Sequence, residues 1–206
     1  MSPEATLGAA LVVYLSAAVI PGPNFVVVVD TSATSTRKNG VCVALGIASG
    51  GLILAAFSLF GISQALLGIP ILSSALHVIC GLYLAYIGVQ LWRNAGESLK
   101  RGGAVPSLDV RRAYGRGLFN ILTNPKAFIF FGTVMTAVIP SGESLGLRIA
   151  VLVEIFVSSV VWHVSLALFF SNESAQRRYG RAKPILNRVL GTVLSLMGLR
   201  LAVFGS

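Results

Sequence analysis

Charge is what this sequence has least of. Only 11% of its 206 residues are charged, and the acids are the scarcer sign, 7 against 16 Lys and Arg. A soluble domain carries about 25% charged side chains, so this chain cannot coat a water-exposed surface. Between residues 39 and 92 no charged side chain occurs at all, which is room for two membrane spans of about 20 residues each. Cysteine and histidine are rare as well, two of each. Cys42 and Cys80 fall in different apolar stretches and read as small buried hydrophobes. No CxxC, HExxH or His/Cys cluster with metal-ligand spacing is present, so neither a metal site nor a cofactor is expected. Nor is there a basic segment ahead of the first apolar stretch, where the early charge is Glu4. That stretch is expected to stay as a span and not to be cleaved as a signal peptide.

Twelve of the 16 Lys and Arg lie in three places. Arg37 and Lys38 form the first group, and Arg93, Lys100, Arg101, Arg111, Arg112 and Arg116 the second. Arg177, Arg178, Arg181 and Lys183 form the third. A net charge of +9 would suit nucleic acid if it were one patch. Spread over alternate loops it is the bias of cytoplasmic loops in a membrane protein, so membrane lipids are expected as partners and nucleic acid is not.

The apolar stretches give six spans, roughly 5–29, 40–63, 69–92, 117–139, 146–171 and 184–204. Turn chemistry marks the joints at Asn39-Gly40, Gly68 to Pro70 and Pro140-Ser141-Gly142. The fold class expected is an all-α polytopic membrane protein with one transmembrane domain over 1–206. Repeat 1 covers about 1–92, a cytoplasmic linker 93–116, and repeat 2 about 117–206. With the basic loops inside, six spans put both termini outside the cytoplasm. Three spans per half give the halves opposite topology, an inverted repeat of the kind transporters use.

Two of the spans are interrupted. Pro21-Gly22-Pro23 breaks the first and Asn124-Pro125-Lys126 the fourth. Proline has no N–H to give to the preceding turn, and irregular backbone at membrane depth is tolerated only against protein or a water-filled cavity. Both breaks lie about 12 Å from the cytoplasmic span ends at 1.5 Å per residue, close to the midplane. Each restarts a helix, with Asn124 as N-cap and Pro125 at the first helical position, and Gly22-Pro23 doing the same more weakly. The new N-termini point opposite ways and suit a carboxylate, with Lys126 adding a full charge. The substrate-binding candidates are therefore Pro21, Gly22, Pro23, Asn24, Asn124, Pro125 and Lys126.

Glu154 stands in an otherwise uncharged run of span five. A carboxylate there costs about 2.5–3.5 kcal/mol to insert and normally faces an interior path. Ser158 and Ser165 share its helix face within about 40°, whereas His163 is about 180° away and outside that stripe. Glu154 with Ser158 joins the site as a holder of substrate ammonium, and Glu154 is the candidate proton carrier. Asp30 reads as an interfacial charge. Gly46 and Gly50, and Gly81 and Gly88, read as close-packing faces. Gly61-Ile62-Ser63 with His77 or His163 resembles a protease serine motif only superficially, and no enzyme is expected.

The motifs together resemble the LysE/RhtB amino-acid exporters. These are Pro21-Gly22-Pro23-Asn24-Phe25, Ser35 to Gly40, Ala44 to Ile47, Gly81 to Gly88, and Gly117 to Phe131 with Thr123-Asn124-Pro125-Lys126-Ala127. The likeness covers nearly the whole chain and is greatest to the homoserine/threonine branch, which also carries an acid where Glu154 stands and has none consistently at Asp30. The branch that exports basic amino acids usually has aspartates where this chain has Gly51 and Phe130. The resemblance thus implies secondary export of small neutral amino acids, threonine- or homoserine-like, from a bacterial cytoplasm across the inner membrane, with proton entry. Homo-oligomerisation stays open. The alternative is an exporter of metal or small cations, for which one carboxylate beside Lys126 is poor provision.

Overall fold

The computed structural model describes residues 2–19, 22–61, 70–93, 95–96, 109–135 and 143–204. Pro21, Gly68, Pro140 to Gly142, Ile62-Ser63 and most of the 93–116 segment lie outside them. Every described element is helical. The first span is two helices, α1 (Pro3–Val19) and α2 (Pro23–Thr34), whose axes meet at 58°. Thr36 then caps α3 (Arg37–Leu59) by accepting the Asn39 N–H at 3.2 Å, and Gly61 ends that run with a positive φ of 80°, a conformation that favours glycine. α4 is Pro70–Arg93.

The fourth span is also broken. α5 (Val110–Leu122) stops at Thr123, and α6 (Pro125–Ile129) runs on into a π-helical turn, Phe130–Met135. α7 (Leu145–Phe170) starts from a Ser144 cap, and α8 (Glu173–Phe204) closes the chain.

Two expected loops are helical. α5 begins inside the segment read as linker, because Ala113, Gly117 and Ile121 form one buried stripe while Arg111 and Arg112 stay exposed. α8 begins at Glu173, not at 184, and carries Pro184 inside the helix. The Asn172 carboxamide oxygen accepts the Ser174 N–H at 2.8 Å, so the basic residues 177–183 ride on helix.

α3 and α7 are each long and apolar enough to cross a membrane, with mean hydropathies of 2.2 and 2.0, and α1 with α2 is so as a bent pair. The outer face of α7 is Leu145, Ile149, Val153, Val157 and Val161, all exposed. Unpaired apolar surface of that extent suits a lipid environment, not water. Inside, Ala10, Val28, Val43, Ile47, Val151 and Ile155 are fully buried where α1, α2, α3 and α7 meet.

Glycines set the closest approaches. A Cβ on Gly46 would strike the Tyr114 carbonyl oxygen, and one on Gly117 the Val43 carbonyl oxygen, so α3 and α5 touch backbone to backbone. Gly81 meets Gly198, and Gly88 meets Gly191, in the same way between α4 and α8. Trp92 strengthens that second pair, donating to the Thr192 hydroxyl at 3.2 Å with Arg188 5.5 Å above its ring.

Candidate functional site

Breaking a helix leaves its last carbonyls and the next helix's first N–H groups to be satisfied from elsewhere. At the end of α1 the partners are distant in sequence. Lys126 Nζ donates to the Ala17 carbonyl at 3.1 Å, and Trp162 Nε1 to the Ala18 carbonyl at 3.1 Å. The second break therefore supplies a cap for the first. α2 restarts with Pro23 at its first position and Gly22 before it, and no side chain caps it. α6 restarts with Asn124, whose Oδ1 accepts the Lys126 N–H at 3.1 Å.

Asn24 joins the two restarts directly. Its Oδ1 accepts Nδ2 of Asn124 at 3.1 Å and Nδ2 of Asn120 at 2.8 Å. Asn124 is 4% exposed, so its amide is satisfied by the half-buried Asn24, as buried polar groups must be.

Between the breaks lies a cavity of about 60 Å³, lined on its polar side by Asn24, Asn124, Lys126, His163 and Tyr14. A volume of that order holds a few ordered waters. Phe25, Phe130 and Phe131 wall it on the apolar side, and Phe130 stacks edge-on to Phe131 and Tyr14. The Phe131 carbonyl, in the π-helical turn, accepts the Ser58 hydroxyl. Turns of this kind, which free a carbonyl from the ladder, recur at functional sites.

Of the residues expected at the site, Gly22, Pro23, Asn24, Asn124 and Lys126 line the cavity. Pro125 is buried beside them as the first residue of α6. Pro21 falls outside the described residues. Glu154 and Ser158 are half-buried on α7 but do not line the cavity. The inward face of α7 is Val151, Ile155, Ser159 and His163, which lie from about 60° (Val151) to about 180° (His163) round the helix from Glu154. Glu154 Oε2 is buried and makes no hydrogen bond.

His163 was set aside by its angle to Glu154, yet it is 3% exposed and lines the cavity. Its depth could have found it. It lies seven residues before the end of α7, as Pro23 lies seven before Asp30 and Asn124 eight after Arg116.

Asp30 pairs with Arg116 at 3.0 Å, both side chains more than 40% exposed, and Arg116 also donates to Thr31 at 3.1 Å. This is an interfacial tie between α2 and α5, worth about 0–1 kcal/mol. No group of three or more His, Cys, Asp or Glu that could hold a metal occurs among the described residues.

A family model described as LysE type translocator matches residues 15–205. The threonine efflux protein of Escherichia coli (strain K12) is 27% identical over 93% of this chain and 94% of its own length. An uncharacterized membrane protein of the same strain, YahN, is 28% identical over 90% of this chain and 83% of its own length. The leucine efflux protein of Enterobacter sp. (strain 638) is 31% identical over 54% of this chain and 53% of its own length. No solved structure matches.

Proposed function

The chain belongs to the LysE type translocator family, and from that premise we propose that it exports small neutral amino acids across the bacterial inner membrane, driven by proton entry. The observation that carries the substrate class is the charge of the cavity. Among its described lining residues Lys126 is the cation, and no carboxylate is present. A substrate carboxylate is the ligand that balances such a pocket, with Lys126 as counter-charge and the amides of Asn24 and Asn124 beside it. A metal or small cation would be repelled by the Lys126 ammonium. A lysine or arginine side chain would find no acid, since Phe130 stands in the wall.

The packing supports two inverted three-helix repeats. If the first and fourth spans, the second and fifth, and the third and sixth correspond, then α3 against α7 and α4 against α8 are each pairs of equivalents. The contact of α3 with α5 is likewise the counterpart of that of α7 with α1 and α2. Both broken spans then meet near the axis relating the repeats, where transporters of this plan bind substrate. For the coupling proton two groups on α7 are available. Glu154, the candidate from sequence, has a buried, unpartnered oxygen but sits off the cavity, whereas His163 sits in it.

Cells expressing the chain and loaded with dipeptides test the reading. Threonine, leucine or another neutral amino acid should accumulate outside several-fold faster than in vector controls. An unchanged external amino-acid profile would refute it.

A further inference from the structure

Resting on that reading, we infer that His163 is the residue that meets the ammonium of the substrate, and that one proton and one substrate compete for its Nε2. The geometry fixes which nitrogen does what. Nδ1 lies 2.9 Å from the Ser159 carbonyl oxygen, and a carbonyl can only accept. Nδ1 therefore carries a hydrogen in every protonation state, with the Ser159 hydroxyl oxygen 3.3 Å away as a second neighbour. In the neutral ring Nε2 is then the lone pair. It belongs to a side chain only 3% exposed that lines the cavity, and the hydrogen bonds of the ring are those of Nδ1.

On the wall of the cavity this acceptor can take a hydrogen bond from water or from a ligand, and Lys126 narrows the class of ligand. Lys126 shares the space and suits a carboxylate. An α-amino acid carries its ammonium on the carbon next to its carboxylate, so one molecule can bridge Lys126 and Nε2. The cavity of about 60 Å³ is on the scale of that shared head group. The side chain then lies against Phe130 and Phe131.

Competition follows from the inventory of donors and acceptors. Neutral imidazole accepts an ammonium N–H at Nε2, whereas imidazolium has donors only and repels it. Substrate entering from the cytoplasm thus requires Nε2 to have shed its proton to that side. A proton arriving from outside takes the lone pair and leaves the ammonium without an acceptor. One proton moves in for each zwitterion moved out, and no other reactant is needed. Among the described lining residues the other titratable groups are Tyr14, from α1, and Lys126, from α6; none from α2, α3 or α8 lines the cavity.

The chain has two histidines, so the full-length protein in nanodiscs, labelled with ¹³Cε1-histidine, gives two ring signals that His77→Gln assigns. Adding saturating threonine or leucine should move the titration midpoint of the His163 signal to lower pH. Amino-acid binding should weaken about tenfold per pH unit below that midpoint, and in His163→Gln or His163→Asn it should lose this dependence. A His163 titration unmoved by bound amino acid overturns the inference. So does a pH dependence of binding that Glu154→Gln abolishes and His163→Gln keeps. If the wild type binds neither threonine nor leucine nor any other neutral amino acid, the exporter reading falls and the inference with it.

Discussion

Lys126 serves two partners at once, and its substitution separates them. Its ammonium caps the Ala17 carbonyl at the end of α1, and it is the cation of the cavity. Lys126→Met should lose both. An orphaned buried carbonyl costs about 1–3 kcal/mol of stability, and loss of the carboxylate anchor should weaken amino-acid binding at least tenfold. Trp162→Phe removes the cap on Ala18 and part of a ring packed on the core but leaves Lys126 in place, so it should lower thermal stability in detergent while leaving counterflow exchange within about twofold. If both variants lose exchange to the same degree, Lys126 acts through the helix end alone. Phe130 gives a complementary gain-of-function test. An aspartate at this wall position, Phe130→Asp, should let lysine or arginine exchange at a measurable rate. Unaltered rejection of both basic substrates would show that the wall does not set charge selectivity.

At the scale of the helices, glycine decides how near two backbones can come. The Cβ of Gly46→Ala would meet the Tyr114 carbonyl oxygen, which is backbone and cannot rotate aside. Overpacking of this kind costs about 1–3 kcal/mol, and moving α3 from α5 also disturbs the α5–α6 break. Gly115→Ala meets nothing within 4 Å and should be neutral or slightly stabilising, which thermal unfolding of the two variants can check. The breaks at Pro23 and Asn124 were legible in the sequence because proline chemistry and capping are local. That Asn24 would accept from both Asn120 and Asn124 was not, since it depends on two spans meeting in space. α7 shows the limit most clearly. Its lipid-facing stripe (Ile149, Val153, Val157, Val161) and its core stripe (Val151, Ile155) are both aliphatic, so hydropathy cannot say which faces inward. Taking Glu154 as the inward mark left out His163, which lines the cavity where Glu154 does not. The basic residues of 110–116 and 177–183 read as loop because charge was equated with loop, whereas both runs are helical.

For the whole molecule, the proposed exchange at one titrating lone pair between two helix breaks would fix the energetics of export. If a zwitterion leaves as one proton enters, each cycle moves a single positive charge inward. At 100 mV that charge supplies about 2.3 kcal/mol, and a pH difference of one unit supplies about 1.4 kcal/mol. Together they sustain an amino-acid gradient of roughly 500-fold, since every 1.4 kcal/mol is a factor of ten. In proteoliposomes carrying the full chain, clamping the potential to zero with valinomycin and potassium should cut the steady-state gradient by about fiftyfold. Collapsing the pH difference alone with nigericin should cut it by about tenfold. The two factors separate because the substrate is neutral overall and the proton is not. A gradient that responds to nigericin but not to valinomycin would mean that a compensating charge travels with the substrate. That outcome would exclude one-for-one exchange of a proton with a neutral amino acid at the cavity between α1, α2, α6 and α7.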